Sequence, residues 1–138
     1  MVGNRAVHKE ALVDRFQSLV DDVLIRHHSV LDVLSKLSES ESRVHRAVAK
    51  SVTSCGCIKI EASRQTFPEN TSWEDIHQQA LSHVFGDLCH RDRQTIEHEI
   101  GQLLFYLTAL ANVLDISLYD VLVKKYNEAS TLGRFYLG

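Results

Sequence analysis

The sequence predicts an all-α fold, an antiparallel helical bundle, and three observations carry that expectation. Chain breakers are scarce: one proline, Pro68, and six glycines in 138 residues, which favours long helices over many short strands. Apolar residues recur at spacings of three and four through most of the chain. The segment from Ile100 to Val113 is apolar on nearly every side, and such a helix belongs in the middle of a bundle or in a subunit interface. Residues 1–138 are expected to form a single domain. The length fits the commonest domain size, and 44% hydrophobic residues supply the material for a core.

The elements follow in order. Leu12, Phe16, Leu19, Val20, Val23 and Leu24, then Val30, Leu31 and Leu34, keep the helical spacing across about 9–37, with polar residues opposite. One long amphipathic helix is expected, bent or broken near His27–His28. Ser38–Ser42 reads as a polar loop and helix start. A shorter helix over 41–52 carries Val44, Ala47, Val48 and Val52 on one face, and Ser54-Cys-Gly-Cys57 interrupts it. Residues 58–65 read as helix or strand. Helix is preferred because a lone strand would have no partner. Pro68 disfavours helix at Phe67. Thr71 or Ser72 caps the next helix, which carries Trp73, Ile76, Ala80, Leu81 and Val84 and stops near Gly86. Asp92 is expected to cap the apolar helix, 93–114, and Ser117 a last one from Leu118 to about Ala129. The tail from Thr131 is expected to be extended.

Composition narrows the function classes. Fifteen basic against eighteen acidic residues give a formal charge of −3, so no basic excess argues for a nucleic acid polymer as partner. No stretch approaches the roughly 20 apolar residues that span a bilayer, and Met1 to Glu10 lacks the apolar core of a signal peptide. No membrane association is therefore expected. Three cysteines make an odd count, which argues against a disulfide framework and points to the reducing cytoplasm. The eight histidines are scattered, apart from His27–His28.

The run Glu99-Ile-Gly-Gln-Leu-Leu-Phe-Tyr-Leu-Thr-Ala-Leu-Ala-Asn112, followed by Leu114-Asp-Ile-Ser-Leu-Tyr-Asp-Val-Leu122, resembles the MazG-like nucleotide pyrophosphohydrolases. The likeness is good over about 93–125 and loose over 55–90, within an expected core of about 41–130. The whole chain looks closer to a divergent branch of that family in which Cys-Gly-Cys-Ile and Leu-Tyr-Asp-Val-Leu recur. The resemblance implies packed antiparallel helices assembled as a homodimer or homotetramer. It also implies Mg²⁺-dependent hydrolysis of nucleoside triphosphates to monophosphate and pyrophosphate. The metal would be held by a Glu-x-x-Glu motif and a later Glu-x-x-Asp motif on facing helices. Side chains three apart share a helix face, so two such helices present four carboxylates to a hard cation.

Carried over residue by residue, that site is incomplete. Glu99 stands in the second motif, but Gln102 replaces its Asp. The first motif is best matched by Glu61-Ala-Ser-Arg64, with Arg64 in place of the second Glu. Glu61 and Glu99 are the expected catalytic metal ligands. Gln102 could offer a carbonyl oxygen, His98 lies i−4 from it, and Lys125 with Lys124 could meet phosphates from the last helix. The competing expectation is a non-catalytic oligomeric binding or regulatory module on the same scaffold. Cys55, Cys57, Cys89 and His90 make a further, weaker set with ligands suited to Zn²⁺ or a redox pair. The usual spacing is Cys-x-x-Cys, and a one-residue gap strains chelation by both sulfurs.

Overall fold

The amphipathic N-terminal stretch is helical over most of its described residues. The structure, a computed structural model, describes residues 11–24 and 29–133. Helix α1 spans Leu12–Val23 and α2 spans Val30–Lys50. The bend expected at His27–His28 lies outside the described residues. The serine-rich stretch 38–42 is not a loop but part of α2. Its hydroxyls are accommodated inside the helix, where Ser42 Oγ donates to the Ser38 carbonyl at 3.1 Å, a back-bond that satisfies a serine without breaking the turn.

A π-helical turn, Ser51–Cys55, ends α2. Then come strand β1 (Ile58–Ile60), helix α3 (Trp73–Gln79), strand β2 (Val84–Gly86), and helices α4 (His90–Val113) and α5 (Leu118–Leu132). The described residues are therefore mostly helical, at 72%, as expected, with a small two-stranded sheet added to the helices. The strands pair antiparallel, Ile58 with Gly86, Lys59 with Phe85 and Ile60 with Val84. This corrects the helical expectation for 58–65: the strand finds its partner across a long loop. It also shortens the helix expected to reach Gly86, which ends at Gln79. Helix α5 continues through Thr131 to Leu132, so the tail is not extended from Thr131; residues 134–138 lie outside those described.

Two compact units emerge. Residues 1–42 with 100–138 form one, and residues 43–99 the other. In the first, Val20, Val33 and Ala109 are fully buried, with Phe16, Leu24, Phe105 and Leu110 packed around them. Gln17 on α1 fastens the corner between α4 and α5. Its Nε2 donates to the Ile116 carbonyl at 2.7 Å, and its Oε1 accepts from the Leu118 amide at 2.8 Å. Asn112 donates to the Gln17 carbonyl at 3.0 Å. Ser117 caps α5 as expected, accepting from the Asp120 amide.

The second unit holds the two-stranded sheet. Beyond the strands, the Glu61 amide donates to the His83 carbonyl, and the Gln65 amide group bonds both the carbonyl and the amide of Leu81. The long loop is thus zipped to the segment preceding β2. Ser72, rather than Thr71, caps α3 by accepting from Asp75. Thr71 instead donates to the Pro68 carbonyl.

Candidate functional site

Two neighbouring groups of polar side chains lie in the unit 43–99. The first is a pocket of about 340 Å³ lined by Arg43, Arg46, Ala47, Lys50, Thr95 and Glu99, near the small end of the roughly 300–1,000 Å³ typical of ligand pockets. Its cations come from α2, where positions 43, 46 and 50 share one face by helical spacing. Its carboxylate comes from α4. Glu99 Oε2 is buried and has no hydrogen-bond partner among the described residues. Glu99 is the single carboxylate in this lining.

The other expected site residues lie elsewhere. Glu61 is not on a helix but follows β1, exposed, with its carboxylate paired to Lys59. His98 is exposed on α4. Gln102 and Lys125 belong to the first unit, where Gln102 is exposed and Lys125 pairs with Glu128 at 2.9 Å. Arg43, Arg46 and Lys50 were not among the expected site residues, since cations at helical spacing carry the same sequence pattern as a solvated helix face.

The second group is Cys55, Cys57, Cys89 and Asp92, whose three sulfurs and one carboxylate oxygen all lie within 4.8 Å of one another. Cys55 closes the π-helical turn. Gly56 then takes a left-handed φ of 76°, its amide donating to the Ser51 carbonyl at 2.9 Å. That conformation, open to glycine at little cost, reverses the chain so that both flanking cysteines face one point. Both sulfurs therefore belong to one cluster despite the one-residue gap.

Pairing of β1 with β2 brings the segment after β2 back beside Cys57. Cys89 precedes α4 and accepts from the Asp92 amide at 3.4 Å. The Cys55 and Cys89 sulfurs are 3.9 Å apart, and the Cys57 thiol donates to Asp92 Oδ2 at 3.3 Å. Asp92 is therefore not the cap of α4 but sits in its first turn. Thiol donors hold its carboxyl below the usual range, Cys57 first among them. The Cys55 thiol is pushed up to about 11, chiefly by hydrogen bonding to Asp92. His90 is exposed and outside the group. The sequence signal that could have found Asp92 is its i, i+3 relation to Cys89.

No family model, curated protein or solved structure matches the chain.

Proposed function

We propose that this chain is a divergent MazG-like protein that binds the phosphate groups of a nucleotide in the pocket over Glu99, as a binding module rather than a hydrolase. The observation that carries the reading is the buried, unpartnered Glu99 Oε2 in a lining with Arg43, Arg46 and Lys50. The cations suit phosphate oxygens. The orphan oxygen suits a hydroxyl or amino donor on the same ligand, because a buried acceptor left unpaired is costly. Arg43 has a bonding partner already, so Arg46 and Lys50 contribute most of the attraction.

The Mg²⁺ chemistry implied by the resemblance fits this pocket poorly. Mg²⁺ binds through hard oxygens, commonly one or two carboxylates plus substrate phosphates. Here one carboxylate stands among three cations. The scaffold is proposed to be a homodimer or homotetramer, which would cover apolar side chains exposed on α4 and α5, Leu104, Leu107, Leu122 and Tyr126 among them.

Calorimetric titration with a panel of nucleoside triphosphates, with and without Mg²⁺, tests the reading. Binding is expected to weaken roughly tenfold in Arg46→Ala and in Lys50→Ala, the loss of one charge-assisted contact each. No binding across the panel, or equal affinity in the variants, contradicts it. Pyrophosphate release that is lost in Glu99→Gln would make the protein a hydrolase instead.

A further inference from the structure

We propose that Cys55, Cys57, Cys89 and Asp92 form a Zn²⁺ site that staples the end of α2, the start of β1 and the first turn of α4. The inference is independent of nucleotide binding.

The donor geometry fits the ion. Tetrahedral Zn²⁺ with Zn–S of about 2.3 Å and Zn–O of about 2.0 Å separates sulfurs by about 3.8 Å and sulfur from oxygen by about 3.5 Å. The structure places Cys55 and Cys89 sulfurs 3.9 Å apart and Cys57 sulfur 3.3 Å from Asp92 Oδ2. Three soft sulfurs select Zn²⁺ over hard cations such as Mg²⁺ or Ca²⁺. Four donors with no protein position left over make a closed, structural site.

The backbone is shaped around the same point. Gly56 turns Cys55 and Cys57 toward it through its left-handed φ. Gly86, with φ 88°, sits where an added Cβ would meet the Cys57 carbonyl oxygen at 2.7 Å. A larger residue there would push β2 away from Cys57. Three thiolates and a carboxylate around Zn²⁺ leave a net charge of −2. Lys50 and Arg91, which line the adjoining pocket with Cys55 and Asp92, offset it.

The unit also needs such a staple. Among its described residues, only Ile58 and Ser51 are buried. A segment of 43–99 with one buried apolar side chain has little hydrophobic stabilisation, and small folds of that kind commonly rely on metals or disulfides.

Metal analysis of the full chain, purified under reducing conditions, tests the site. One Zn²⁺ per chain is expected, with all three cysteines shielded from alkylation until a chelator is added. Replacing Zn²⁺ with Co²⁺ should give the visible absorption of tetrahedral thiolate coordination. Zn²⁺ affinity should fall at least tenfold in Asp92→Ala and stay unchanged in His90→Ala. Substoichiometric metal with freely alkylated cysteines, a Cys55–Cys89 disulfide in the reduced preparation, or octahedral Co²⁺ absorption overturns the proposal. Loss of affinity in His90→Ala but not in Asp92→Ala overturns the assignment of the fourth ligand. Alkylation of the unsubstituted chain needs no variant to fold.

Discussion

Gly86 carries a heavier constraint than any other glycine described. A methyl group there would collide with the Cys57 carbonyl at 2.7 Å, and the residue is held at a φ of 88°. Gly86→Ala is expected to destabilise the protein by about 1–3 kcal/mol and to weaken Zn²⁺ binding with it. Urea unfolding and metal titration of the same preparation check both. In the other unit, Val33 has no exposed surface, so Val33→Ala removes two buried methyl groups. About 2 kcal/mol should be lost, read as a lower urea midpoint at unchanged slope. Its neighbours Val30 and Leu34 belong to the apolar row read from the sequence, whereas Val33 itself shows its burial only in the structure. The role of Asp92 was not visible, because a carboxylate at a helix start is so well explained by capping. Only the spatial neighbour, Cys57 thirty-five positions away, separates the proposed ligand from an ordinary cap.

At the scale of elements, local signals were readable and distant pairings were not. Ser117 and the start of α5 follow from the capping preference alone. Ser117→Ala should remove the bond to the Asp120 amide and cost about 1 kcal/mol, measurable by thermal or urea unfolding. The apolar run of α4 was equally plain. Strand β1 was not, since three residues of alternating character specify a strand only when a partner exists. That partner, β2, comes after a long loop and a helix, and no local pattern announces it. The serines of 38–42 misled for the opposite reason. Their composition suggests a loop, but helix propensity is a weak prior that neighbouring turns override.

For the molecule as a whole, the two units are expected to draw on different sources of stability. The unit formed by 1–42 and 100–138 has an apolar core around Val20, Val33 and Ala109. It nevertheless leaves large apolar side chains uncovered on α5, with Tyr126 72% exposed. Exposure of that kind commonly marks an interaction surface. Light scattering coupled to size exclusion should therefore show a dimer or larger, and a strict monomer at micromolar concentration would remove the oligomer from the proposal. No single described helix is long and apolar enough to cross a membrane. The unit 43–99 is expected to depend on its four donors instead. Thermal unfolding of the full chain before and after Zn²⁺ removal tests that dependence most directly. The midpoint should fall by several degrees or split into two transitions when a chelator strips the metal, and recover when Zn²⁺ is restored. A single transition at the same temperature with and without Zn²⁺ would contradict the account.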